Sequence, residues 1–462
     1  MNNSQVKSNS KLILLLFLVG VFMSSLDIGI VGPVIPSVES AFSISSRLSS
    51  WLYTFFVLAF MVGSPVMSKF SDFYGWRKIF TIEILLFAIG SSLIAFIPNI
   101  WIIFLGRIIQ GIGAGGILPV AASFIGEHFS LKRRGFALGL LGSVYGTSAA
   151  CGPLVGALLI PYGWQWCFAI NVPIAFFVIL IGLYILPVKS DSKSLNIDWL
   201  GILVFSFTSI LLAYGVNQID SSHFLDSLLS WNVLPYLIGF LFMVPVFLFV
   251  EHRAKESIVP IYMFKNKEIL VASLLVICYG ISYSITIFIP SLAILSLGLS
   301  SNMASLMLVP VVGVQIFAAP IMGHYLYSVG SRKIIALGMV CLTVGSLVLA
   351  LFNSNLFVFL IIGLPIGFGF ITLTGAPMRY LVLTETSSND HGAGQGIINM
   401  ISSFGQIIGG ALIGGLIASY NGGITGYNLT LYMIMVIGIF ALILTSQLKT
   451  RNQQIVTMNK NL

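Results

Sequence analysis

Apolar runs of roughly 18 residues or more recur along the whole of this chain, and no other feature constrains its fold as tightly. Each run is long enough to cross the ~30 Å hydrocarbon core of a bilayer as a helix. Hydrocarbon cannot satisfy backbone N–H and C=O groups, so a spanning segment is either a helix or a strand of a closed barrel. Barrel strands are about 10 residues long and alternate in polarity. These runs are longer and continuous, so they are helices. Only 8% of the residues are charged and 57% are hydrophobic, against about 25% charged in an ordinary soluble domain. Such a chain cannot coat itself for water. The pattern predicts fourteen spans, at 12–36, 50–69, 78–97, 100–124, 137–160, 167–187, 199–217, 232–250, 269–292, 302–321, 333–352, 355–379, 396–419 and 427–447.

Lys and Arg set the orientation. One set of connections holds Lys69, Arg77, Lys78, Arg133, Arg134, Arg332, Lys333, Lys449 and most of the remaining basic residues, with Arg379 at the end of span 12 on the same side. The opposite set holds only Arg47, and Arg107 alone lies inside a span. This asymmetry predicts a multi-pass protein with both termini in the cytoplasm, which agrees with an even span count. It also accounts for the net charge of +8 as topology signals in contact with lipid headgroups, so nucleic acid is not a partner. Cys151, Cys167, Cys278 and Cys341 fall inside apolar runs without metal-ligand spacing, so they read as packing residues and no metal is expected.

The turn after span 2 (Gly75-Trp76-Arg77-Lys78) is repeated after span 10 (Gly330-Ser331-Arg332-Lys333). This duplication divides the chain into a six-helix bundle over 11–188, an inserted helix pair with flanking loops over 189–267, a second six-helix bundle over 268–448, and a cytoplasmic tail over 449–462. Paired bundles of this kind enclose a site near the midplane and rock about it.

Five motifs lie in order on these spans. Leu26-Asp27-Ile28 to Pro36 is in span 1, and Ser68 to Lys78, with Asp72, Gly75 and Arg77, follows span 2. Leu105-Gly106-Arg107 to Gly115, with Gln110, is in span 4. Gly139, Gly152, Pro153 and Gly156 mark span 5, and Trp164 to Pro173 leads into span 6. Together they resemble the major facilitator superfamily, and within it the fourteen-helix drug:proton antiporters. The departures are Ser68, Phe73 and Trp76 in the turn, Ser148 and Ala157 in span 5, and Gln165 where that family has arginine. The resemblance implies an all-α polytopic membrane protein with the major facilitator fold. It implies a gating role for Asp72 and Arg77, and a link between span 5 and export direction.

The residues carry physical readings of their own. Asp27 lies about 15 residues into span 1, or roughly 22 Å deep at 1.5 Å per residue. An ionised carboxylate there costs several kcal/mol, which suits it to bind and release a proton as access alternates; the structural alternative is a carboxyl bonded to a neighbouring helix. Arg107 needs a partner or a wet cavity, to orient the protonation site or line a pocket, with Gln110 one turn on; the alternative is an anchor to backbone carbonyls. Glycines on span 5 allow close helix approach, and span 13 carries a comparable run at Gly405, Gly409, Gly410, Gly414 and Gly415. Asp72, Arg77, Glu127 and Arg134 form a candidate cytoplasmic latch. Glu83 is placed to snorkel to the headgroups, with a second coupling role as the alternative. Tyr53, Phe56, Tyr145, Phe288, Gln315, Asn399 and Gln406 are candidates for a greasy, acid-bearing cavity.

The expected function is proton-coupled export of amphipathic or cationic compounds by a monomer, driven by the proton gradient without a cofactor, in a bacterial cell membrane. The alternative is a dedicated exporter of one metabolite, siderophore or lipid. An enzyme is disfavoured: the histidines fall in or beside loops and there is no P-loop. A channel is disfavoured because no filter-like element is present.

Overall fold

The computed structural model describes residues 3–44, 46–49, 51–187, 198–219, 224–254, 257, 259–299, 303–304, 306–387 and 390–461. The expected boundary at 188/189 and most of the following linker lie outside the described residues. The long helices are α1 (Asn3–Phe42), α2 (Trp51–Tyr74), α3 (Trp76–Phe96), α4 (Ile100–His128), α5 (Leu131–Leu159), α6 (Trp166–Ile185) and α7 (Trp199–Asn217). They continue as α8 (Leu234–Arg253), α9 (Lys267–Ile287), α10 (Leu306–Val329), α11 (Ser331–Phe352), α12 (Leu356–Glu385), α13 (His391–Ser419) and α14 (Ile424–Ser446). A terminal helix, α15 (Arg451–Asn461), follows. Among the described residues, thirteen of these helices are long and apolar enough to cross a membrane. The fourteenth is α5, rich in glycine, serine and threonine. At 29 residues it is as long as α4, and it packs between α1 and α10 inside the bundle.

The duplication is visible in local geometry. Gly75 and Gly330 precede α3 and α11 with φ/ψ of 86°/152° and 86°/151°, a conformation open to glycine and strained for other residues. The helices after them repeat a second device. Asn99 caps α4 by accepting from Trp101 N at 2.9 Å, and Asn355 caps α12 by accepting from Phe357 N at 3.0 Å.

Packing follows the same symmetry. α5 lies against α1 and crosses to α10, while α13 lies against α9 and crosses to α2. Small residues make these crossings possible, because a Cβ would strike backbone at each. Gly135 and Gly139 of α5 lie on Gly323 and Ala319 of α10, and Gly396 of α13 lies on Pro65 and Ser64 of α2. Within the bundles, Gly152 of α5 meets Gly29 and Ile30 of α1, and Gly405 and Gly409 of α13 meet Ile277, Gly280 and Ile281 of α9. α7 and α8 pack on each other and touch α2 through α7. α4 is the most buried span and α8 the most exposed. Phe177, Leu203, Leu241, Phe242, Phe317, Phe357 and Phe440 are exposed, as an outer surface bathed in lipid requires.

Two sequence boundaries shift. α1 runs as one helix through Pro33 and Pro36 to Phe42. Span 12 does not end at Arg379: α12 breaks at Gly375 (φ −83°, ψ −155°) and resumes from Ala376 to Glu385.

Candidate functional site

Asp27, Arg107 and Gln110 converge, all with no more than 1% exposure. Arg107 Nη1 donates to Asp27 Oδ2 at 2.5 Å and to Gln110 Oε1 at 2.6 Å. Gln110 Nε2 donates to Asp27 Oδ1 at 2.9 Å and to Ser91 Oγ at 2.9 Å. Arg107 Nε donates to the Leu52 carbonyl at 2.9 Å, and the guanidinium lies 4.4 Å from the centre of the Phe56 ring and 5.6 Å from that of Phe168. Both carboxylate oxygens of Asp27 are thus occupied by side chains from α4. The one-turn spacing of Arg107 and Gln110 puts both donors on the same helix face. Gly90 of α3 and Gly106 of α4 face each other closely, which lets α3 bring Ser91 against Gln110.

A small cavity opens between the two bundles. Phe60, Leu118 and Tyr145 line it from one half, and Tyr279, Arg379, Asn399 and Gln406 from the other. Tyr145, Asn399 and Gln406 were expected there; Arg379 was not. Arg379 is 3% exposed, its Nη1 donating to Gln395 Oε1 at 3.1 Å and its Nη2 to Asn399 Oδ1 at 3.0 Å. It is therefore a second arginine in a span interior and not a surface topology signal. The signal available in the sequence was Gly375 followed by Pro377, which marks a break inside a span. The charged residue lining this cavity is Arg379.

The Asp27 network and the cavity are linked where α1 packs on α5. Ser25 Oγ of α1 donates to the Tyr145 carbonyl at 2.6 Å. Two residues beyond Asp27, Gly29 seats Gly152. Gly156 packs on Pro33, also of α1. The side chain of Pro153 lies outside the described residues.

The latch residues separate. Asp72 reaches across the bundles and accepts from Gly392 N and Ala393 N, each at 3.1 Å, at the start of α13. Arg134 is buried and Glu127 exposed. Asp72 therefore places a carboxylate on a helix N-terminus, while α10 carries Tyr327 at the matching position. Glu83 does not snorkel. It is fully buried against Met67 and Gly116, and neither carboxyl oxygen has a hydrogen-bond partner among the described residues. On the face carrying Arg77, Lys78, Arg332 and Lys333, Lys449 Nζ pairs with Glu385 at 2.7 Å and Gln454 Nε2 donates to Ser331 Oγ at 2.7 Å. These bonds dock α15 beside the second glycine turn.

The Major Facilitator Superfamily model matches residues 17–264 and 271–454. The chain belongs to the major facilitator superfamily. Members of this superfamily are transporters, not enzymes, and the chain is a multi-pass membrane transporter of small molecules. It is 29% identical over 410 residues to the uncharacterized MFS-type transporter YfiU of Bacillus subtilis, covering 87% of this chain and 79% of that one. It is 28% identical over 421 residues to Multidrug resistance protein 3 of Bacillus subtilis, covering 88% and 80%. The fold is shared with the proton:xylose symporter XylE, at a TM-score of 0.68, 15% identity and 99% coverage of both chains.

Proposed function

We propose that this transporter is a proton-coupled exporter of amphipathic compounds and that Asp27 carries the coupling proton. The observation that supports this most is the buried Asp27–Arg107–Gln110 network, joined to the cavity by the Ser25–Tyr145 bond. A proton on Asp27 would remove its negative charge, weaken the ion pair, and free Arg107 and Gln110 to change partners. Such a change is felt directly at α5, which packs on α1 near Asp27 and forms part of the cavity wall. The multidrug name of a relative at 28% identity supports efflux as the direction. The basic face would lie in the cytoplasm, and this structure, zipped there by α5·α10, α13·α2 and Asp72, represents the state closed to that side. Dye efflux into everted vesicles under an imposed pH gradient tests the reading. Transport should stop when the gradient is collapsed and in Asp27→Asn; transport that persists in either case refutes it.

A further inference from the structure

Arg379 is a cation without a counter-charge. Among the described residues no carboxylate lies within ion-pair distance of it, and its bonds go to the neutral amides of Gln395 and Asn399. Arg107, its counterpart on the fourth helix of the other half, is neutralised by Asp27. An uncompensated charge at membrane depth is costly, and it persists where it faces a wet cavity or a ligand. Arg379 and Asn399 line the cavity between the bundles, and two of their buried donors, Arg379 Nε and Asn399 Nδ2, have no hydrogen-bond partner among the described residues. Asn399 Oδ1 is committed to the guanidinium, so the group Asn399 has left to offer is its N–H. The phenols of Tyr145 and Tyr279 add hydroxyls, while Phe60 and Leu118 supply an apolar wall.

One fixed positive charge, spare N–H donors and an apolar wall are the complement of an amphipathic anion. We propose that Arg379 and Asn399 form an anion-recognition subsite, and that the cargo of this transporter carries a carboxylate or similar acidic group beside a hydrophobic body. The proposal rests on the export reading for the word cargo; the subsite itself is a binding property and needs no gradient. The anion would accept from Arg379 Nε and Asn399 Nδ2, converting two orphan donors into charge-assisted hydrogen bonds.

The test uses a matched pair of probes on the purified full-length protein: rhodamine B, which bears a free carboxylate, and its ethyl ester, which does not. Binding is read by fluorescence anisotropy in detergent without a pH gradient. The acid should bind roughly tenfold or more tighter than the ester. Arg379→Gln should abolish that preference, and Arg379→Lys, which keeps the charge, should retain part of it. Equal binding of acid and ester by the wild type, no saturable binding of the acid, or equal loss of both probes in Arg379→Gln with Arg379→Lys normal would each overturn the proposal. Failure of proton coupling would register differently, as an intact acid preference in a protein whose transport ignores the gradient.

Discussion

At the scale of single residues, the account separates three buried charges that the sequence presents alike. Asp27 and Arg107 are partners, so removing one strands the other. Breaking a buried pair this way costs about 3–5 kcal/mol, and Arg107→Ala should lower the detergent melting temperature by several degrees and abolish transport. A melting curve that matches the wild type would show that the pair is not the constraint described. Glu83 is the opposite case. Neither carboxyl oxygen has a recorded partner, so Glu83→Gln deletes no bond and should leave the melting temperature unchanged or raise it; a drop of several degrees would reveal a partner. The depth of Asp27 and the spacing of Arg107 and Gln110 were legible because both follow from counting residues along one helix. Arg379 and Glu83 were misplaced for the same reason. Counting from a run's edge fails when a helix continues past a glycine break, as at Gly375, or when neighbouring helices bury a residue near a span's end, as α2 and α4 bury Glu83.

At the scale of elements, glycine spacing specifies which helices touch. A leucine at Gly152 would drive its side chain into the backbone of Gly29 and Ile30. Overpacking of that kind costs typically 1–3 kcal/mol or more, so Gly152→Leu should reduce both thermal stability and transport. Gly32 has open space around it, and Gly32→Ala should be near neutral in the same assays. The small-residue run of α5 announced close packing from sequence alone. Its partners did not, since α1 and α10 are remote in the chain and only the fold brings them together. The latch shows the same division. Asp72 was singled out by its motif, yet it accepts from the backbone at the start of α13, which no side-chain motif encodes. Charge at a helix N-terminus contributes about 0.3–2 kcal/mol. Asp72→Asn should therefore shift the population toward opening of the basic face by up to roughly thirtyfold, read as faster maleimide labelling of a cysteine placed at Leu118. Unchanged labelling would assign closure to the α5·α10 and α13·α2 crossings alone.

At the scale of the whole molecule, two homologous bundles meet across a cavity that is charged on one side and coupled to a buried ion pair on the other. The duplicated halves were readable in the repeated Gly-x-Arg-Lys turn, and the matching φ angles of Gly75 and Gly330 show why that turn recurs. The division of labour between the halves was not readable, because it depends on which arginine has an acid beside it. On the proposed reading, proton chemistry falls to the first half, through Asp27, and cargo contacts fall largely to the second. The account stands or falls on that first assignment. The most direct measurement is simultaneous recording of cargo flux and internal pH in proteoliposomes of the purified protein, with wild type and Asp27→Asn compared under the same gradient. The account predicts that cargo movement by the wild type is accompanied by opposite proton movement and that Asp27→Asn abolishes both while the protein remains folded. Cargo-linked proton movement that survives in Asp27→Asn, or cargo movement by the wild type with no change in internal pH, would contradict it.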